Sequence, residues 1–324
     1  MIRALCGLLL AAAATFSVPA MAQPDTTRRI GATAADTQVP GYRFHALVVQ
    51  APGSERRYRL RVAVPERPAP PAGYPAVWLL DGHAALMDID AATLQRVAQA
   101  ASPPVIVFVA HDNDLRIDGD ARAYDYTPRR PGGEDAQRDP LGTRRNGGAD
   151  AFLDLLAGEA RRQVAAIVPL DDARQALWGH SYGGVFVLHA LFARPDAFAH
   201  YGAADPSLWW GEGRMLQEEA DAIRWKGAPP HLYLWTGQSA GPRGGAPTVA
   251  PAPGAAAAPR DPAAVDAMRR ARASVPPDAA EKMAQRQRAR GLHVAWEPLP
   301  GLSHGQTLGA SLPRFLDAIA GTEP

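Results

Sequence analysis

The hydrophobic residues in the first third of the chain predict strands of two kinds. The segments 44–50 and 57–64 have the pattern of strands joined by a Pro-Gly turn, which favours an antiparallel hairpin. The segments 76–80 and 105–109 are continuous apolar runs, as expected for strands of a parallel sheet that is covered on both faces. A segment with helical spacing, 91–101, lies between these two runs. The pattern therefore changes from a hairpin to alternating strands and helices.

Strands and helices continue to alternate along the rest of the chain. Apolar residues recur at helical spacing over 149–166, and a short apolar strand at 176–178 precedes an apolar run from Val185 that predicts a buried helix. The other predicted elements are strands at 199–204, 232–235 and 293–296 and helices at 212–224, 278–290 and 308–320. This order predicts one α/β domain over 42–324, with a doubly wound, mostly parallel sheet and an antiparallel N-terminal hairpin.

Three segments lack the periodicity of helices and strands. Residues 23–41 are polar and contain scattered Pro and Gly, which predicts a flexible N-terminus of the mature chain. Residues 118–148 are too many for a simple connection, so we expect a functional loop or lid there. Residues 239–263 are a low-complexity insert of Ala, Pro and Gly, for which we expect mobility.

The start of the chain has the composition of a secretory signal peptide. Arg3 precedes an uncharged run over 4–14, and Ala20-Met21-Ala22 supplies the small residues expected before a cleavage site. We therefore expect cleavage near Ala22 and a periplasmic or secreted protein. The apolar run is shorter than the ~18 residues of a membrane span, and no later segment is long enough, so no membrane span is predicted.

The charge and the cysteine content exclude several classes of protein. The chain has 34 Lys and Arg against 33 Asp and Glu, and loss of Arg3 with the leader makes the two numbers equal. This balance argues against a nucleic-acid partner. The single cysteine, Cys6, lies in the leader, so a cysteine hydrolase and a Cys-ligated zinc site are excluded for the mature chain.

The most specific motif of the chain is Gly179-His180-Ser181-Tyr182-Gly183. It has the form Gly-x-Ser-x-Gly and lies between a predicted strand and a predicted helix, as the nucleophile elbow of α/β-hydrolases does. Because the turn is tight, side chains at both glycine positions are expected to collide. Ser181 Oγ would then lie at a helix N-terminus, which favours a developing negative charge. The alternative, a glycine-rich turn with an incidental serine, does not explain this order of elements.

A serine hydroxyl becomes a nucleophile when a base lies within hydrogen-bond reach. In this fold the base follows the last strand, and of the nine histidines His304 has that position, between Gly301 and Gly305. His180 is expected to point away from the site and to pack. An oxyanion hole would use the N–H of Tyr182 and a second N–H from Gly82 or His83, after the strand at 76–80.

The sequence does not decide which carboxylate, if any, orients the base. Its usual position follows the strand at 232–235, where residues 236–240 contain no acid. Asp205, after the strand at 199–204, could reach the base from another edge of the sheet. The alternatives are therefore a Ser–His dyad and a triad that includes Asp205.

Five motifs together resemble the esterase D (putative esterase) family. They are Leu79-Leu80-Asp81-Gly82, Asp125-Tyr126-Thr127-Pro128, Gly179-His180-Ser181-Tyr182-Gly183-Gly184, Asp205-Pro206-Ser207-Leu208-Trp209-Trp210 and Gly301-Leu302-Ser303-His304-Gly305. The resemblance covers about 44–320 and is strongest to periplasmic trilactone siderophore esterases of the enterobactin and salmochelin type. It implies the α/β-hydrolase fold and a Ser–His pair that cuts ester bonds of catecholate siderophores, either ferric or iron-free. Asp205, where serine is expected, and His83, where asparagine is expected, depart from the family pattern and could change the substrate.

Aromatic and basic side chains suggest how such a substrate would bind. Trp209 and Trp210 are candidates to stack on catechol rings, and Arg122, Arg129 and Arg130 are candidates to contact phenolate oxygens. In the alternative interpretation the tryptophans belong to the core and the arginines are solvated.

The predicted activity is ester hydrolysis through an acyl intermediate on Ser181, with His304 as the general base and then the general acid. The mechanism requires no metal and no organic cofactor. A small-molecule ester is the expected partner. Two alternatives remain, namely a general or feruloyl-type carboxylesterase and a catalytically weak periplasmic binding protein.

Overall fold

A computed structural model describes residues 27–139, 144–239 and 262–322. The predicted signal peptide and most of the predicted insert at 239–263 lie outside the described residues. The strands are β1 (Tyr42–Gln50), β2 (Arg57–Pro65), β3 (Tyr74–Leu79), β4 (Val105–His111), β5 (Leu170–His180), β6 (His200–Ala204), β7 (His231–Gln238) and β8 (His293–Pro300). They form one sheet in the order β1-β2-β4-β3-β5-β6-β7-β8.

The sheet is antiparallel at its N-terminal edge and parallel elsewhere. The pairs β1–β2 and β2–β4 are antiparallel, and the pairs β4–β3, β3–β5, β5–β6, β6–β7 and β7–β8 are parallel. The predicted fold class and the predicted hairpin are therefore confirmed. Because the carboxyl ends of parallel strands meet at one edge, residues that follow β3, β5, β6 and β8 can lie near one another.

Helices cover both faces of the sheet. They are α1 (Gly82–Asp88), α2 (Ala91–Ala98), α3 (Gly119–Asp125), α4 (Ala149–Leu155), α5 (Arg161–Ala165), α6 (Tyr182–Ala193), α7 (Arg214–Ala220), α8 (Pro262–Ala273), α9 (Ala279–Ala289) and α10 (Gln306–Ala320). A π-helical turn, Leu156–Ala160, joins α4 to α5, so helical structure runs through most of the predicted helix at 149–166. Within the described residues, no helix is both long and apolar enough to cross a bilayer.

Alternate residues of the central strands enter two separate cores. Trp78 of β3 packs with Phe186 of α6 on one face, whereas Val77 of the same strand packs with Phe315 of α10 on the other. Every residue of β3 and β4 is buried, as the continuous apolar runs predict. The α6 helix is buried over eleven of its twelve residues because it lies between the sheet and neighbouring helices.

The part of the predicted flexible N-terminus that the structure describes, 27–41, makes some contacts with the rest of the domain. Arg29 forms a β-bridge with Leu115. Thr33 caps a single 3₁₀ turn through a reciprocal hydrogen-bond pair with Asp36. Val39 is 1% exposed. Burial of Val39 and the capped turn hold this segment against the domain.

The predicted loop at 118–148 is wrong for its first part, which contains α3. The Asp125 carboxylate at the end of α3 accepts hydrogen bonds from Tyr58 (2.9 Å) and His111 (2.8 Å) and lies 2.8 Å from an Arg56 nitrogen. These contacts hold α3 against β2 and β4. Of the buried residues of α3, which are Gly119, Arg122, Ala123 and Asp125, only Ala123 has an apolar side chain, so no apolar periodicity marked this helix in the sequence.

Candidate active site

The turn between β5 and α6 has the geometry of a nucleophile elbow. Ser181 has φ +61°, a left-handed value that is unusual for a residue other than glycine. A Cβ atom at Gly179 would lie 2.5 Å from the backbone of Gly183, so glycine is required there. A Cβ atom at Gly183 would lie 3.6 Å from Leu80, an ordinary contact distance. The expected collision is therefore confirmed at Gly179 and wrong at Gly183.

Three side chains that the sequence singled out form one hydrogen-bonded chain. Ser181 Oγ lies 3.0 Å from Nε2 of His304, and Nδ1 of the same ring lies 3.0 Å from Oδ2 of Asp205. If Nδ1–H donates to the carboxylate, Nε2 is left to accept the proton of Ser181. The arrangement can activate a serine for attack on a carbonyl carbon.

Asp205 reaches His304 because of the sharp turn at the end of β6. Its φ is +40°, and its N–H donates to the carbonyl of Trp235 at 2.8 Å. The turn directs the carboxylate across the end of β7, where a Cβ atom at Gly237 would lie 3.2 Å from Asp205 Oδ2. Asp205 therefore lies where the missing acid after β7 would otherwise act.

His180 supports the loop that carries His304. Its Nε2 lies 2.7 Å from the carbonyl oxygen of His304 and 3.0 Å from Thr307 Oγ1. Burial, with a smaller contribution from the charge of His304, holds the pKa of His180 well below its usual value. A neutral His180 can donate Nε2–H to that carbonyl, as expected for a residue that points away from the nucleophile.

Arg122 lies beneath the elbow, where its guanidinium is hydrogen-bonded to Asp81 and to the backbone of His180. Its Nε and Nη2 donate to the Asp81 carboxylate at 3.0 and 2.8 Å, and Nη2 also donates to the carbonyl of His180 at 3.1 Å. The guanidinium carbon lies 5.5 Å from the ring centroids of both Tyr126 and Tyr182. Only 7% of the Arg122 side chain is exposed, so its expected contact with phenolate oxygens of a substrate is not supported.

The segment after β3 lies against the elbow. The Cβ position of Gly183 is 3.8 Å from Asp81 Oδ2, and α1 begins at Gly82. His83 is buried, and its Nδ1 contacts the Leu115 carbonyl at 2.8 Å, so its side chain is engaged in the fold. Burial lowers the pKa of His83. The backbone of Gly82 and His83 thus lies in the segment that contacts the elbow.

An open cavity lies beside the imidazole of His304. The residues that bear on its chemistry are Asp205, Ser207, Trp209, Gly237, Arg272 and His304. Trp209 therefore lies where a substrate can reach it. Trp210 is 3% exposed and belongs to the core, so its expected stacking role is wrong.

Two arginines that the sequence singled out lie apart from this cavity. Arg129 pairs with Glu134 at 2.6 Å. Arg130 donates from Nη2 to the Arg138 carbonyl at 2.6 Å, and its backbone N–H donates to Gln137. Neither is among the residues that line the cavity. The expected substrate contacts of Arg129 and Arg130 are therefore not supported.

Sequence reasoning missed two residues of the site. The guanidinium carbon of Arg272 lies 5.6 Å from the ring centroid of Trp209, although 62 residues separate them and no local pattern marks this arginine among the many in the chain. Ser207 Oγ lies 3.1 Å from Ser181 Oγ. The signal for Ser207 was its place in the motif that begins at Asp205.

The described part of the chain contains no evident metal-binding cluster. Among residues 27–139, 144–239 and 262–322, no three His, Cys, Asp or Glu side chains are grouped so that they could hold a metal ion.

Comparisons with known proteins identify the family of the chain. Residues 51–234 match the model of the putative esterase family. The apo-salmochelin esterase of Escherichia coli O6:H1 (strain CFT073) is 33% identical over 223 residues, which cover 69% of each chain. The ferri-bacillibactin esterase BesA of Bacillus subtilis (strain 168) is 29% identical over 61% of this chain and 69% of the relative. The solved enterobactin and salmochelin hydrolase IroE is 28% identical, with a TM-score of 0.63 over 89% of this chain and 98% of that chain. On this evidence the chain belongs to the putative esterase family and has the α/β-hydrolase fold.

Proposed function

We propose that the chain is a serine esterase that hydrolyses the ester bonds of a catecholate trilactone siderophore. The observation that carries this proposal is the continuous chain of contacts from Ser181 through His304 to Asp205, with both distances 3.0 Å. The substrate class is supported by the names of the relatives, which include an apo-salmochelin esterase and a ferri-bacillibactin esterase.

The reaction has two acyl-transfer steps. In the first, His304 Nε2 takes the proton of Ser181 as Oγ bonds to the ester carbon and the carbonyl electron pair moves to oxygen. When this intermediate collapses, the bond to the alcohol oxygen breaks and His304 gives that oxygen the proton. A water molecule then attacks the acyl-serine in the same way and releases the carboxylic acid. Asp205 holds Nδ1–H and so orients the imidazole and stabilises its charged form.

The anionic intermediate is stabilised beside the elbow. The N–H of Tyr182 at the start of α6 and an N–H of Gly82 or His83 at the start of α1 are the proposed donors. Arg122 connects the two segments, because its guanidinium donates to the Asp81 carboxylate at the start of α1 and to the His180 carbonyl before the elbow.

The acyl group of the substrate would enter the cavity beside His304. The ring of Trp209 offers a face for a catechol ring, and Arg272 offers a cation for its phenolate oxygens. Neither side chain belongs to the hydrogen-bonded chain of Ser181, His304 and Asp205, so both can set the choice of substrate without taking part in proton transfer.

The serine mechanism predicts a burst of product. Incubation with a p-nitrophenyl ester should release about one equivalent of p-nitrophenol per enzyme before the steady state, and Ser181→Ala should abolish both phases. Persistence of the burst in Ser181→Ala would refute the assignment of the nucleophile.

The substrate is tested by competition among esters. We expect enterobactin-type trilactones, offered with and without iron, to be hydrolysed with a higher kcat/KM than short acyl esters, as measured by mass spectrometry of the products. A preference for short acyl esters would favour the general carboxylesterase. Saturable binding of the siderophore without turnover would favour a binding protein.

We also propose that the protein is exported. The basic start, the uncharged apolar run and the small residues before Gln23 support a cleaved signal peptide. N-terminal sequencing of the protein from its native compartment should begin at or near Gln23.

A further inference from the structure

Ser207 carries a buried hydroxyl next to the nucleophile, and the mechanism above gives it no role. Its Oγ lies 3.1 Å from Ser181 Oγ, and the residue is 2% exposed. We propose that Ser207 is a further catalytic residue that donates a hydrogen bond to Ser181 Oγ while negative charge develops on that atom. The inference rests on the proposed function, because it concerns the attack by Ser181.

The direction of this hydrogen bond follows from the number of protons available. Ser181 has one hydroxyl proton, and attack requires that proton to point at His304 Nε2, 3.0 Å away. In that state Ser181 Oγ can only accept a hydrogen bond from Ser207. The hydroxyl of Ser207 is therefore the donor whenever the catalytic chain is set for reaction.

The backbone holds Ser207 at this distance. The N–H of Ser207 donates to the carbonyl of Ser181 at 3.2 Å, and the N–H of Ser181 donates to the carbonyl of Ala204 at 2.9 Å. A Cβ atom at Gly184 would lie 3.0 Å from Pro206, which shows how closely the 205–207 turn packs against α6. The same turn thus directs Asp205 to the base and Ser207 to the nucleophile.

The hydrogen bond is strongest in the transition states of both steps. During acylation the Oγ–H bond of Ser181 breaks, its proton moves to His304, and an Oγ electron pair forms the bond to carbon. During deacylation the carbon–Oγ bond breaks, the pair returns to Oγ, and His304 returns the proton. Oγ is partly negative in both transition states, whereas in the acyl-enzyme it is an ester oxygen and a weak acceptor. A donor at this position therefore favours the transition states over the ground states.

The test separates the two rates by pre-steady-state kinetics with a p-nitrophenyl ester. In Ser207→Ala we expect the burst rate, which reports acylation, and the steady-state rate, which reports deacylation, each to fall about tenfold. KM should stay within about twofold, because both steps slow together. Titration with diisopropyl fluorophosphate counts the active sites, and each rate is divided by that number. A partly misfolded sample therefore does not mimic the effect.

Two further variants distinguish a donor from a packing role. Ser207→Thr keeps the hydroxyl and should restore most of both rates. Ser311→Ala removes a buried hydroxyl of α10 that donates to the Leu308 carbonyl at 3.3 Å, and it should leave both rates unchanged.

The outcomes separate this inference from the proposed function. If Ser207→Ala keeps both rates within about twofold of the wild type, or if Ser207→Thr is as slow as Ser207→Ala, Ser207 is not a catalytic donor even though the esterase assignment stands. If the wild-type protein shows no Ser181-dependent turnover, the proposed function fails first.

Discussion

Asp205 and His304 lie 99 residues apart in the sequence, yet their side chains approach within 3.0 Å. The contact depends on one backbone feature, the left-handed turn at Asp205, which carries the carboxylate over the end of β7. A serine at this position, as the family pattern suggests, would be too short and uncharged for the same role. The residue at position 205 thus distinguishes a dyad from a triad.

The role of Asp205 predicts a large kinetic effect without a loss of fold. In Asp205→Asn we expect kcat to fall by about 10²–10⁴, because the amide can favour the wrong tautomer of His304 and cannot stabilise its charged form. The measurement is kcat for a p-nitrophenyl ester, with thermal unfolding as the control for stability. A turnover within a few-fold of the wild type would establish the dyad.

Neighbouring residues can have opposite environments, and this explains several errors at the residue scale. Trp209 lines the cavity, whereas Trp210 is buried in the core. Arg122 was expected to contact phenolate oxygens of a substrate but makes a buried ion pair with Asp81. In each case the residue type suited a substrate contact, and the direction of the side chain depended on how distant segments pack.

The elbow is the element in which local sequence and function are most closely linked. The strand β5, the turn at Ser181 and the helix α6 are consecutive, so the Gly-x-Ser-x-Gly pattern was sufficient to predict them. By contrast, α3 and α8 were missed, because α3 is held by the buried polar contacts of Asp125 and α8 follows a low-complexity segment.

The two glycines of the elbow predict different effects on stability. Gly179→Ala places a methyl group 2.5 Å from backbone atoms that cannot move freely, so we expect a loss of about 3 kcal/mol or more in the free energy of unfolding. Gly183→Ala meets Leu80 at 3.6 Å and should change that free energy by no more than about 1 kcal/mol. Denaturant unfolding measures both values. Equal effects of the two substitutions would contradict the elbow geometry.

At the scale of the whole molecule, one buried histidine forms ion pairs that connect helices distant in sequence. His189 of α6 lies 2.8 Å from a Glu218 oxygen of α7 and 3.1 Å from an Asp150 oxygen of α4. Burial alone would lower the pKa of His189, but hydrogen bonds and charges from the two carboxylates raise it to about 9. The charged imidazole therefore joins three helices at neutral pH.

This raised pKa predicts how stability depends on pH. Because the pKa is higher in the folded state than the usual 6.5, the stabilisation by His189 is complete below pH 6.5 and is lost as the pH rises through about 9. We expect the difference in the free energy of unfolding between wild type and His189→Gln to shrink by about 3 kcal/mol from pH 6 to pH 10. Denaturant unfolding at several pH values measures it, and a constant difference would contradict the prediction.

His200 provides a control of opposite sign. Burial, together with the neighbouring charge of His231, lowers the pKa of His200 to about 4. The unfolded chain then binds the proton more readily, so His200 should destabilise the fold as the pH falls from 6.5 towards 4. His200→Gln should reduce the loss in the free energy of unfolding at acid pH and leave its pH dependence above pH 7 unchanged.

Local patterns were sufficient for the class of fold and for naming the two side chains, Ser181 and His304, that we propose as nucleophile and base. Strand and helix periodicities arise from the chain's own geometry, and the elbow and the loop after the last strand are short segments whose role follows from their neighbours in sequence. The contact of Asp205 with His304, the cavity and the position of Arg122 depended on which loops the sheet order brings together. Side-chain direction and distance between remote segments follow from packing across the sheet, and no short stretch of sequence contains that information.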